Sequence, residues 1–171
     1  DNDVLDVLVT GSLVISTDFD TALKNDQVRA EIIGIPLSLV ILLFVFGTFT
    51  AAMLPMVIAL LMITLATATS FWMSDWWFFG LTQYSISMIS LIGIAVSIDY
   101  SLFMISRFRE ELDAGAEVED AIAKMMDTAG RAVLFSGATV AISLCSLFYF
   151  TATHMPSMAM GGFLAVLASL I

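Results

Sequence analysis

The chain has 171 residues, of which 60% are hydrophobic and 13% charged, and its mean hydropathy is +0.99. Soluble domains hold roughly 45–50% apolar residues and about a quarter charged, so this balance excludes a soluble globular protein and indicates lipid as the main solvent. The net charge of -10, from 6 Lys+Arg against 16 Asp+Glu, excludes a basic surface for nucleic acid.

The acids are segregated, with seven in residues 1–31, seven in 110–127, and only Asp75 and Asp99 in the long apolar stretches. Residues 1–28 read as the remnant of a soluble domain. Val4 to Thr10 alternates as a strand does, Gly11 breaks it, and Ser16 or Thr17 before Asp18 and Asp20 is a helix-start signal. That helix is expected to continue without interruption into the first span.

Residues 29–171 form the membrane domain. Residues 32–74 carry no charge and are too many for one span, because a core of about 30 Å takes roughly 20 helical residues. A break at Gly47-Thr48-Phe49-Thr50 gives spans over about 30–48 and 52–73, with Pro55 expected in the first turn of the second. Trp76-Trp77-Phe78-Phe79-Gly80 fits an interfacial aromatic belt before a third span over about 83–106. Val118, Ala121, Ile122 and Met125 then recur at i, i+3, i+4 and i+7, predicting an amphipathic helix over about 116–127 that lies on the membrane surface or under neighbouring segments. Spans over about 132–153 and 157–171 complete the series, separated by a loop with His154 and Pro156. The expected fold is therefore an all-α, five-span membrane bundle with a short α/β remnant ahead of it.

Four of the six basic residues, Arg107, Arg109, Lys124 and Arg131, fall in the 107–131 connection, which the positive-inside rule places in the cytoplasm. Residues 1–28 and the His154 loop are then extracytoplasmic. Cys145 is the single cysteine, and with no Cys/His cluster the sequence predicts neither a disulfide nor a metal site, and no cofactor. The chain starts without Met and stops within an apolar run, as an excised fragment does.

Asp99 is the sole charge between residues 83 and 106 and is separated from Arg107 by seven residues, so it is expected roughly 10 Å deep. An intramembrane carboxylate costs about 2.5 kcal/mol or more if unpaired, and burial raises its pKa toward neutrality, which suits a reversible proton carrier. The bland reading is a protonated or hydrogen-bonded structural acid. Ser136, Thr139 and Ser143 fall at i, i+3 and i+7 on the fourth span, where hydroxyls serve either as helix-packing contacts or along a proton path.

Gly93-Ile94-Ala95-Val96-Ser97-Ile98-Asp99-Tyr100-Ser101-Leu102-Phe103, with Ser106-Arg107-Phe108-Arg109-Glu110-Glu111 behind it, closely resembles the fourth-helix signature of MMPL-type transporters in the resistance-nodulation-division superfamily. Thr128-Ala129-Gly130-Arg131-Ala132-Val133-Leu134-Phe135-Ser136 resembles the start of that family's fifth helix, and Thr10-Gly11 with the Asp26–Glu31 approach resembles its exit from an extracytoplasmic porter domain. The resemblance implies that the five spans are family helices two to six of the first half. It further implies a proton relay in which Asp99 binds the proton, Tyr100 reaches toward a partner acid in the missing second half, and Ser136 joins them, with Thr139 and Ser143 on the relay or packing face.

An exporter of lipids or other hydrophobic molecules, driven by the proton gradient in a bacterial inner membrane, is what this resemblance implies. Its partners are the bilayer, the second half of the parent chain and the cargo, with a homo-oligomer as a further assembly to consider. A sterol-sensing or lipid-receptor domain of the same superfamily would share the bundle without needing a titrating acid, and a protein-translocation accessory would differ in its extracytoplasmic domains. An intramembrane aspartyl protease, the enzymatic alternative, needs two acids on adjacent spans, and Asp99 has no such companion.

Overall fold

The structure, a computed structural model, describes residues 11–74, 82–150 and 154–170. The expected strand at 4–10, the aromatic belt at 76–80 and Asp75 lie outside the described residues. Everything regular among the described residues is helical: α1 Ser12–Phe46, α2 Phe49–Ser74, α3 Gln83–Asp113, α4 Val118–Met125, α5 Arg131–Cys145 and α6 Met155–Ser169. A π-helical turn, Met126–Gly130, joins α4 to α5, and a 3-10 turn, Ser146–Tyr149, follows α5. The chain divides into two compact units, Asp1–Leu37 and Ser38–Ile171.

In the first unit the described residues after Gly11 belong to α1, which passes without a break into the segment expected as the first span. The helix begins earlier than the Ser16/Thr17 signal suggested. Ser16 and Thr17 do not cap it; their hydroxyls donate backward to the Leu13 carbonyl at 2.9 and 2.8 Å, as Ser and Thr do inside a helix. Pro36 lies within α1, where its missing N–H leaves the carbonyl four residues earlier without its helical donor. The division between units falls just beyond it.

The second unit opens with the last turns of α1, whose Leu42 and Phe46 are buried at 2% and 4% exposure. Gly47 ends the helix at φ +67°, a left-handed conformation that glycine adopts without cost. Because α2 starts at once at Phe49, Pro55 sits inside it, buried, rather than in its first turn as expected. Thr82 opens α3 through a capping box: its side chain accepts from Ser85 N, and the Ser85 hydroxyl accepts from Thr82 N at 2.9 Å. The helix then runs two turns past the expected end at 106, to Asp113. The amphipathic segment and the fourth span, expected as separate helices, form one helical stretch through the π turn that ends by Tyr149. Pro156, expected in the loop, stands in the first turn of α6, where its missing N–H costs nothing.

Ser12–Phe46, Phe49–Met73, Gln83–Asp113 and Val118–Tyr149 are each long and apolar enough to cross a membrane. The fifth expected span is α6, apolar but only 15 residues long, about 22 Å of helix. α6 nevertheless organises the unit, packing against α2, α3 and α5, while α3 also packs against α2 and α4. Small residues make this possible. Ser85, Ile89, Gly93, Ser97 and Ser101 recur every four residues on α3 and all are buried, and opposite them α6 buries Ala159, Gly161, Gly162, Ala165 and Ala168. With little water-exclusion energy to draw on between lipid-solvated helices, such close backbone approach supplies the association.

Candidate functional site

Asp99 lies in the middle of α3 and is exposed. The reason is rotational: the buried stripe of α3 passes through Ser97 and Ser101, and a step of two residues along a helix turns the side chain to the far side. The stripe faces α2 and α6, as shown at Gly93, where a Cβ would meet Ile63 Cγ1 at 3.1 Å and the Ala165 Cβ at 3.8 Å. Asp99 is thus presented on the side of α3 that its neighbours within the unit leave open.

Tyr100, one position on, is half-buried and forms part of the wall of a cavity of about 440 Å³. Ser101, Met104 and Ile105 from α3, Met62 from α2, Met125 and Met126 at the π turn, and Ser169 and Leu170 at the end of α6 also line it. Carbon and sulfur dominate the lining, and Tyr100, Ser101 and Ser169 are the lining residues with polar side chains.

Ser136, Thr139 and Ser143 are all exposed on α5. The Thr139 hydroxyl donates to the Phe135 carbonyl and the Ser143 hydroxyl to the Thr139 carbonyl, both at 2.8 Å, so each hydroxyl proton is engaged within its own helix. None of these three lines the cavity beside Tyr100, and neither does Asp99. α6 is packed against both α3 and α5, and among the described residues no hydrogen bond joins Asp99, Tyr100 and Ser136.

Sequence reasoning missed three polar features around this helix. The first is a cluster at its C-terminal end: Arg107 binds Glu110 at 2.8 Å and pairs with Glu111, Lys124 on α4 lies 3.1 Å from Glu111, and Arg107 Nε donates to the Thr128 hydroxyl at 3.3 Å. The i,i+3 and i,i+4 spacings of Arg107 to its acids were readable; the cross-helix partners were not. The second is the buried Ser97 hydroxyl, which has no hydrogen-bond partner among the described residues. The third is Arg109, whose guanidinium donates to the Phe46 carbonyl at 2.8 Å and stands 5.6 Å from the centre of the Phe46 ring. At the opposite end of α3, the Thr82 hydroxyl contacts the Ser157 hydroxyl at 2.8 Å and Tyr84 stacks on His154 with ring centres 4.6 Å apart, joining α3 to the start of α6.

Taken together, the long apolar helices and the small-residue crossing define a multi-pass helical membrane protein, in which Asp99 is the sole charge between residues 83 and 106. The MMPL family model matches residues 2–171, and the chain belongs to that family. It is 37% identical over 163 residues to the mycolic acid-containing lipids exporter MmpL11 of Mycolicibacterium smegmatis, a match covering 95% of this chain and 17% of that protein. It is 36% identical over 145 residues to the trehalose monomycolate exporter MmpL3 of the same organism, covering 85% and 14%. The heme uptake protein MmpL11 of Mycobacterium tuberculosis is 34% identical over 163 residues, covering 95% and 17%. The chain therefore spans about a sixth of the length of these curated relatives.

Proposed function

We propose that the chain is part of the membrane domain of a proton-driven exporter of lipids or other hydrophobic molecules in a bacterial inner membrane, with Asp99 as the proton carrier. The observation that carries this reading is the position of Asp99, the sole charge between residues 83 and 106, on the face of α3 that is not packed within its own unit. A carboxylate facing hydrocarbon is costly, so that face calls for a protein surface or a water-filled path against it. A second half of the parent chain, bringing its own acid, supplies one.

In this reading Tyr100 reaches from its half-buried place toward the partner acid, and Ser136 joins the relay from α5 across that same surface. Thr139 and Ser143 act in packing or in solvating the path. Residues 107–131 lie in the cytoplasm and residues 1–28 outside. Protonation of Asp99 from outside removes an intramembrane charge and lets α3 move; release to the cytoplasm restores it. One proton crossing 100 mV releases about 2.3 kcal/mol, enough for one or a few per cycle to drive such a shift. The relatives' names, covering mycolic acid-containing lipids, trehalose monomycolate and heme, support a hydrophobic or amphipathic cargo, carried through porter segments beyond this chain. The chemistry is transport rather than catalysis.

The test uses the full-length parent in vesicles with a fluorescent lipid as cargo. An imposed proton gradient should drive its movement and a protonophore should stop it. Movement that persists undiminished with the protonophore, or that follows ATP alone, contradicts the proposal.

A further inference from the structure

Arg109 is spent in an unusual way. Asp113 stands four residues further along α3, at the spacing where exposed Arg and Asp pair, and Glu110 is adjacent in sequence. Yet among the described residues Arg109 enters no ion pair, whereas Arg29, Arg107 and Arg131 each do. Its guanidinium instead donates to the Phe46 carbonyl at 2.8 Å and lies over the Phe46 ring, which is itself 4% exposed.

Phe46 is the last residue of α1. The final carbonyls of a helix have no donor within it and carry the negative end of its dipole, so a cation there is held by charge, hydrogen bond and ring together. Arg109 stands ten residues, about 15 Å, along α3 from Asp99.

We infer that Arg109 is a positioning residue that couples α3 to the turn between α1 and α2, so that a shift of α3 set by Asp99 is transmitted to Phe46 and Gly47. This inference rests on the proton-driven reading above. A guanidinium suits the role because its planar fork holds a direction that a flexible ammonium does not.

The experiment uses the full-length parent in proteoliposomes, with native cysteines including the exposed Cys145 replaced by serine. An environment-sensitive fluorophore is placed in one preparation at Thr48→Cys, in the α1–α2 turn, and in another at Asp113→Cys, at the end of α3. Both are exposed positions. An external acid jump should shift both signals, and Asp99→Asn should abolish both shifts. Arg109→Met should abolish the Thr48 shift and keep the Asp113 shift, Arg109→Lys should keep part of the Thr48 shift, and transport turnover in Arg109→Met should fall by about two- to thirty-fold, the range in which coupling residues act. A full Thr48 shift in Arg109→Met overturns the inference while leaving the proton reading standing. Absence of both shifts in the unsubstituted protein overturns the proton reading and the inference with it. Where Arg109→Met does not reach the membrane, Arg109→Lys decides: an undiminished Thr48 shift contradicts the coupling role.

Discussion

The Cβ that an alanine would carry at Gly161 falls 2.5 Å from the carbonyl oxygen of Ser85 and 3.0 Å from its Cα. The obstructing atoms are backbone, so no rotamer change relieves the contact. α6 can therefore lie against α3 only while residue 161 has no side chain, and the Thr82–Ser157 contact of 2.8 Å one turn away depends on the same approach.

Gly161→Ala is expected to push α6 off α3 and destabilise the protein by about 1–3 kcal/mol, the usual cost of overpacking. Gly34→Ala is the matched control, since a Cβ there meets nothing within 4 Å and alanine is the better helix former. Thermal unfolding in detergent, followed by helical circular dichroism, should show a lowered midpoint for Gly161→Ala alone. Equal midpoints would mean that the α3–α6 crossing is not as tight as described.

Glu111 holds α3 to α4, with its side chain only 10% exposed between Arg107 and Lys124. Glu111→Gln should lower stability by about 1–3 kcal/mol, between the small value of an exposed pair and the larger value of a buried one, because Lys124 is 59% exposed. Lys124→Met in the same background should then cost almost nothing more. Additive losses in this double-mutant cycle would show that the two residues do not interact.

Orientation is tested by accessibility. In the cysteine-free parent, Glu117→Cys should react with a membrane-impermeant maleimide only from the cytoplasmic side and His154→Cys only from outside. The reverse pattern would invert both the topology and the direction of proton flow.

Much of the helical order was legible because the signals are local. Charge-free runs set the number of apolar segments, and Gly47 marked the α1–α2 turn through a conformation that favours glycine. Boundaries slipped where a local rule competes with continuity: Ser16 and Thr17 carry N-cap chemistry but bond backward inside α1, and Pro55 is tolerated within α2. The join of α4 to α5 through a π turn left no mark in the 3.6-residue pattern that separated the amphipathic segment from the span. Asp99 was conspicuous as a lone charge, but its outward direction is set by which stripe of α3 is small enough to meet α6. That choice, like the reach of Arg109 to Phe46 and of Lys124 to Glu111, is a property of packing between distant segments and has no local signal.

The most direct measurement compares Asp99→Asn with the unsubstituted full-length parent for gradient-driven lipid movement in vesicles at matched protein levels. Asparagine keeps the size and much of the hydrogen bonding of aspartate and removes only the titration. If Asp99 carries the proton, Asp99→Asn should reach the membrane normally and lose transport, Ser136→Ala should only impair it, since water replaces a hydroxyl more readily than a carboxyl, and Tyr100→Phe should fall between. Near-normal, gradient-dependent transport by well-expressed Asp99→Asn would contradict the proton-carrier role outright.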